Sequence, residues 1–397
     1  MGIAAIHKMN QPTIFKAVFL FGALFGGAVS CTTTDERERA VAEPGEMTFR
    51  SAAEFAEQSG EPTLIDFSEL DAFLQKYQRL FNRSAILIRK DGRVVYSYGD
   101  VQTAAYAASC SKWLSSATIM RLVEQKQLAL DVPVGQYMPK LHGRAGEVTL
   151  RQLLSHTAGL SAQGGNHDEW QQPPMQTSAS RLHFLPSDAH AFCYENAGFN
   201  FAGRVAAKRA EKKWSQIFRE EIAVPLGLSN SYFRKSKPTA AAGAMISASD
   251  YSLFLEMIRQ NGVSPDGIRV LTESSVREIL KNHTAGLEMT CIPRPSARKE
   301  SHGLGVWRQG GSRERPDLAS HFGAGGYKVF LDYCRNVSAV FAMEYKRGKE
   351  DRAKNVTRNM YSIVQRAIPV TPSCAVSNES VPDRWRPPLR RPSRQEQ

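Results

Sequence analysis

Strand-like runs stand at both ends of the folded part of this chain, and the residues between them are almost wholly helical in pattern. Near the front, Ala85-Ile86-Leu87-Ile88 and Val94-Val95-Tyr96 flank Lys90-Asp91-Gly92-Arg93. Asp-Gly between two apolar runs predicts a hairpin, because glycine accepts a positive φ at no steric cost. Strand-like runs return only at residues 303–308, 327–332 and 337–344. Strands at opposite ends must meet to share one sheet. This order predicts a discontinuous α/β lobe, residues 66–108 and 243–370, with a helical lobe of residues 109–242 inserted between its halves.

Helical spacing fills in the rest. Phe67, Leu70, Phe73, Leu74, Tyr77 and Leu80 mark an amphipathic helix over residues 66–80. Residues 109–129 are mostly apolar and free of Gly and Pro, which predicts a long buried helix. A short helix opens at residues 149–154 with Thr149 as its cap. Further helices are expected over 198–223, 248–260, 273–281 and 351–367, and a polar surface loop over 163–186.

The ends of the chain carry a different signal. Lys8 and Lys16 precede the uncharged run AVFLFGALFGGAV, which meets Ser30-Cys31. A basic start followed by a short apolar stretch is the pattern of a secretory signal over residues 1–30, with Met9 as an alternative start. Ala28-Val29-Ser30-Cys31 resembles the bacterial lipobox, although Ala28 stands where that motif usually has Leu. The expected product is an exported, envelope-located lipoprotein anchored to membrane at Cys31, with a plain signal peptide as the alternative. Residues 31–65 read as a polar tether and residues 371–397 as a basic Pro- and Arg-rich tail.

Composition narrows the function. The 397 residues carry a formal net charge of +12, spread along the chain with no basic run interleaved with aromatics. Nucleic acid is therefore not an expected partner. Of the six cysteines, lipidation of Cys31 leaves an odd number, which no complete disulfide framework can use. Cys110 and Cys193 are expected to be structural, with a bond between them as the alternative. No C-x-x-C or H-E-x-x-H spacing occurs, so neither metal nor cofactor is expected.

Ser109-Cys110-Ser111-Lys112 is an S-x-x-K tetrad at the start of the long apolar helix. Side chains three apart share a helical face, so the hydroxyl and the amine can meet. Alone the tetrad says little, and Ser296-Ala297-Arg298-Lys299 repeats it by coincidence in a polar stretch. Context separates the two. Tyr194-Glu195-Asn196 is the chain's single Y-x-N, and an extended segment would point Tyr194 and Asn196 the same way. His321-Phe322-Gly323-Ala324-Gly325-Gly326 precedes a strand-like run, and residues 153–160 read LLSHTAGL.

Together, in this order and spacing, these motifs resemble the serine β-lactamase and penicillin-binding-protein family, notably its class C-like branch of esterases, peptidases and β-lactamases. The resemblance covers residues 80 to 365 or so and implies an α+β fold, a mainly antiparallel sheet flanked by helices with an inserted helical lobe. It implies that Ser109 is a nucleophile forming an acyl-enzyme and Lys112 its base or charge partner. Tyr194 becomes the proton shuttle, Asn196 an orienting residue, and the N–H groups of Ser109 and Ala324 the oxyanion hole beside Gly323. His156 is expected to brace a turn.

His321 stands where the family has Lys, and a neutral imidazole offers a substrate carboxylate no full charge. The expected activity is hydrolysis of a small ester or amide, with D-amino-acid peptide or β-lactam hydrolysis as the alternative. An imidazole titrating near 6.5 would shift preference towards carboxylate-bearing substrates as pH falls. From another class, a non-catalytic envelope binding protein is the competing reading, disfavoured because a binder needs none of Ser109, Lys112, Tyr194 and Asn196. The anchor is directly testable: a palmitate analogue should label the wild type in cells and leave Cys31→Ala unlabelled. An unlabelled wild type with its mature N-terminus elsewhere would favour the plain signal peptide.

Overall fold

A computed structural model describes residues 65–161, 184–185, 191–235, 238–358, 360–371 and 374. Cys31, the apolar run before it, nearly all of the tether, most of the 163–186 stretch and the tail beyond Cys374 lie outside these residues. Helix α1 (Ser68–Tyr77) leads into β1 (Phe81–Lys90) and β2 (Arg93–Tyr98), and β3 (Ala105–Tyr106) follows. The middle holds α2 (Ser111–Glu124), α3 (Arg144–Glu147), α4 (Leu150–Ser155), β4 (Ala191–Cys193), α5 (Ala197–Ala210) and α6 (Trp214–Phe218). Then come β5 (Ser231–Phe233), β6 (Ala244–Ile246), α7 (Ala248–Arg259), α8 (Glu273–Leu280), β7 (Glu288–Cys291), β8 (Ser301–His302) and β9 (Trp307–Gln309). The chain closes with β10 (Leu318–Phe322), β11 (Tyr327–Asp332), β12 (Val337–Tyr345), α9 (Glu350–Thr357) and α10 (Met360–Ala367).

The two ends do share one sheet. Its seven strands run β2-β1-β12-β11-β10-β9-β8, antiparallel throughout, so the first hairpin pairs directly with the last strand. Ala85 lies opposite Ala342 and Leu87 opposite Val340. These four, with Val329 and Leu331, bury one face against the helices of the middle. Ile86, Ile88, Phe330, Ala339 and Phe341 bury the other face with residues of α1 and α10. Both faces are covered, which is why these strands are continuously apolar rather than alternating.

Local chemistry sets several elements. Thr149 accepts from the N–H of Gln152 while the Gln152 side chain accepts from the N–H of Thr149, a capping box that starts α4. His156 ends that helix at φ 62°. The helix expected over 198–223 is broken: Glu211 takes a left-handed φ of 54° and closes α5. Residues expected as one helix over 351–367 form α9 and α10 instead. Strand β10 reads LASHF, in which Ser320 and His321 interrupt the apolar run that marks its neighbours.

Two disulfides correct the cysteine reading. Cys193 bonds Cys291, where β4 runs parallel to β7, and Cys334 bonds Cys374. Cys110 is buried and free, so it does not pair with Cys193. Nothing in the spacing points to Cys291, because β7 (EMTC) is only four residues long and its partner strand lies far away in sequence. The first bond closes a loop with a sequence separation of 98, and replacing both cysteines by serine should lower stability by about 2–4 kcal/mol. Urea unfolding of the double variant, against wild type with and without reductant, checks this.

Candidate active site

Ser109 lies in a single 3-10 turn, Ala108–Cys110, that feeds directly into α2. Ala108 holds a φ of 45°, a left-handed conformation that costs a non-glycine residue about 1–3 kcal/mol and persists only where the surroundings enforce it. They do so here through a set of hydrogen bonds. Ala107 N–H donates to the Ala244 carbonyl at 3.0 Å, Ala244 N–H donates to Ser111 Oγ at 3.0 Å, and Tyr251 Oη–H donates to the Cys110 carbonyl at 2.8 Å. Gly323, at the end of β10, leans on the same turn: a Cβ there would sit 2.4 Å from the Ala107 oxygen. Ala324 is exposed beside it and Ser109 is partly exposed.

Lys112 has no solvent exposure at all. Its Nζ lies 2.6 Å from Asn196 Oδ1, 3.2 Å from the Ala241 carbonyl and 3.3 Å from Ser109 Oγ. A neutral amine has two N–H groups and one lone pair, so it can donate to Asn196 and Ala241 and accept the Ser109 proton. The Nζ also sits 4.9 Å from the Tyr194 ring centroid and 5.7 Å from that of Phe199. Burial pulls its pKa from 10.5 down to about 7, with Glu195 the largest influence opposing that fall. This is the range in which an amine can act as a base at neutral pH.

The Tyr194 hydroxyl hydrogen-bonds the Ser109 side chain, and burial keeps it protonated far above neutrality. Tyr194 and Asn196 do not lie in an extended segment as expected. Strand β4 stops at Cys193, and Asn196 is the N-cap of α5, with φ −104° and ψ −21°. Tyr194 N–H donates to the Cys291 carbonyl at 2.9 Å, so the disulfide-bonded pair of strands positions the tyrosine. The structure thus brings together Ser109, Lys112, Tyr194 and Asn196, with Gly323 abutting the Ser109 turn. Ser296 lies in a separate turn, Pro295–Lys299.

His321 needs correction. It is fully buried on β10, its ring 6.2 Å from that of Tyr194, and its Nδ1 accepts from Phe322 N–H at 2.9 Å. Burial, then the neighbouring Lys112, hold it neutral well below 6.5. Acidification through pH 6.5 therefore supplies no charge at this box. His156 and His302 are also buried and neutral, with rings 5.0 Å apart. Among the described residues, one cluster of metal-ligand types occurs, Asp317, Cys334 and Cys374, and its sulfurs are joined in the second disulfide.

Two residues escaped the sequence reading. Arg294 stacks its guanidinium 4.3 Å from the Phe322 ring and 4.6 Å from that of Trp307, and pairs with Glu300. Its charge lowers the Tyr194 pKa, so it lies within electrostatic reach of the site. No spacing signal marks it. Glu195, the middle residue of Y-x-N, is buried beside His156.

The family model described as Beta-lactamase matches residues 72–360. The chain belongs to the beta-lactamase family. Penicillin-binding protein 4 of Amycolatopsis lactamdurans is 25% identical over 218 residues, 45% of this chain and 57% of that protein. The D-alanyl-D-alanine-carboxypeptidase/endopeptidase AmpH of Escherichia coli K12 is 25% identical over 176 residues, 38% of this chain and 45% of its own. The chain thus spans about half the length of these curated relatives.

Among solved structures, a putative beta-lactamase from Bacteroides dorei DSM 17855 shares 24% identity at a TM-score of 0.65, covering 76% of this chain and 99% of that one. EstCE1, a hydrolase with promiscuous acyltransferase activity, shares 19% at 0.57, covering 74% and 97%. These likenesses bear out the expected α+β fold, with its antiparallel sheet flanked by helices.

The tight approach at Gly323 yields a test. Gly323→Ala must displace the Ser109 turn, and a shift near 1 Å at a reacting group costs about a hundredfold in rate. Ester kcat/KM should fall by that factor or more in a variant whose circular dichroism still matches the wild type.

Proposed function

We propose that this chain is an exported serine hydrolase, anchored to membrane through Cys31, that cleaves small neutral esters or amides through an acyl-enzyme on Ser109. The observation that carries the chemistry is the fully desolvated Lys112 amine, 3.3 Å from Ser109 Oγ. Lys112 takes the Ser109 proton as Oγ bonds to the substrate carbonyl carbon. The N–H groups of Ser109 and Ala324 stabilise the oxyanion. As the tetrahedral intermediate collapses, Tyr194 delivers a proton to the departing alkoxide or amine and is reprotonated from Lys112. Water then attacks the ester on Ser109 by the same path and releases the acid.

Preference for neutral substrates follows from charge. His321 stays neutral in its buried seat, and the Arg294 guanidinium already has Glu300 as partner. A free carboxylate would therefore lose a charge-assisted bond of about 1.5–3 kcal/mol that a lysine at position 321 could supply. A second reading, hydrolysis of D-amino-acid peptides, is favoured by Arg294 alone: exchanging Glu300 for a substrate carboxylate would give that substrate its cation. The relatives named as penicillin-binding protein and D-alanyl-D-alanine carboxypeptidase are consistent with it.

The test compares p-nitrophenyl butyrate with a fluorescent penicillin. Wild type should turn over the ester faster, and Ser109→Ala should lose at least about a thousandfold in kcat. Retained turnover in Ser109→Ala would remove the assignment. Faster reaction with the penicillin, lost in Arg294→Gln, would establish the second reading.

A further inference from the structure

Resting on the Ser109–Lys112 reading above, we propose that Glu195 is a positioning residue that clasps the start of α5 and sets whether Lys112 stands ready as amine or as ammonium. Its side chain is 4% exposed, and Oε2 accepts from Gly198 N–H at 2.7 Å. Only glycine leaves room for this: a Cβ at position 198 would lie 2.6 Å from Glu195 Oε1. The clasp spans Asn196 and ties down the first turn of the helix whose N-cap holds the Lys112 amine at 2.6 Å. The carboxyl thus closes the turn that carries Asn196, the residue immediately after it.

The surroundings give this carboxyl an electrical role as well. Lys112 is the cation that acts on it across the site, and Glu195 is in turn the largest charge opposing the fall in the Lys112 pKa. The other titratable groups around the pair are silent near neutrality. Cys110 is held protonated by burial, as is Tyr194. His156, His302 and His321 are held neutral, and Arg294 keeps its charge beside Glu300. Burial raises the Glu195 pKa and lowers that of Lys112, so protonation exchanges between these two groups in the same pH range.

His156 packs against this carboxyl. Its Nδ1 lies 3.4 Å from both Glu195 Oε1 and Glu195 N. An imidazole nitrogen has one in-plane lone pair, so in one tautomer Nδ1 accepts from the Glu195 N–H and in the other it donates to the carboxylate. The helix N-terminus and the Gly198 N–H stabilise the carboxylate form.

The experiment measures the pH dependence of Ser109 acylation by a fluorophosphonate, a single covalent event independent of natural substrate. Removing the carboxylate in Glu195→Gln takes away the charge that favours ammonium, so the acid limb should move about one pH unit lower. At pH 6 the rate relative to its own plateau should then rise about fivefold. Glu195→Ser, smaller and also neutral, should move the limb in the same direction if the Gln variant folds poorly. Glu195→Asp keeps the charge but shortens the clasp, so its limb should stay while its plateau falls.

Superimposable limbs in wild type, Gln and Ser variants would overturn the proposal and leave the clasp as scaffolding. A second arm needs no reactivity. A carboxyl raised above its ordinary 4.5 binds its proton more tightly when folded, so its contribution to stability falls as pH rises from about 4.5 towards neutrality. Thermal melts of wild type should show this fall relative to Glu195→Gln, and parallel pH–Tm curves would count against the proposal. If wild type fails to acylate at Ser109, the proposed hydrolase function fails, and this second arm still decides the role of Glu195.

Discussion

The complete burial of Lys112 is the constraint on which the rest of the site depends. Moving its pKa from 10.5 to about 7 corresponds to a bias against the charged form on the order of 5 kcal/mol. That bias exists only while the amine stays dry. It requires acceptors for the N–H groups, which Asn196 and the Ala241 carbonyl provide. It also requires aromatic walls, supplied by Tyr194 and Phe199. Gly305 packs as closely on the helix that carries this side chain, where a Cβ would lie 2.6 Å from the Lys112 backbone carbonyl oxygen.

Much of this was legible in the sequence, and what was legible shares a physical cause. The hairpin at Asp91-Gly92, the cap at Thr149 and the strand 327–332 are specified by residues that touch each other locally or alternate along a strand covered on both faces. The tetrad, Y-x-N and the His321 box fell together as a set because each motif's internal spacing is short. The pairing of Cys193 with Cys291 was not legible, since β4 and β7 are brief strands that become neighbours only through the tertiary fold. Arg294 was invisible for the same reason. Its meaning lies in the rings it covers, which come from β9 and β10.

The His321 reading failed for a different cause. Residue type alone predicts a titration near 6.5, whereas burial with Lys112, His302 and Arg294 as neighbours removes that titration from the physiological range. The same burial that lowers the Lys112 pKa silences the imidazoles around it. A site of this kind cannot add a second basic group cheaply, because each new charge would need its own partner in the same dry volume.

The Cys193–Cys291 bond adds a temporal dimension. It joins the segment immediately before Tyr194 to a strand 98 residues further along the chain, and such bonds form in oxidising compartments rather than in a reducing cytosol. A newly made chain in reducing surroundings would have Ser109 and Lys112 near one another in sequence, with the tyrosine's strand not yet covalently tied. Covalent fixing of the Tyr194 segment would then be a late event, tied to the redox state of the chain's surroundings.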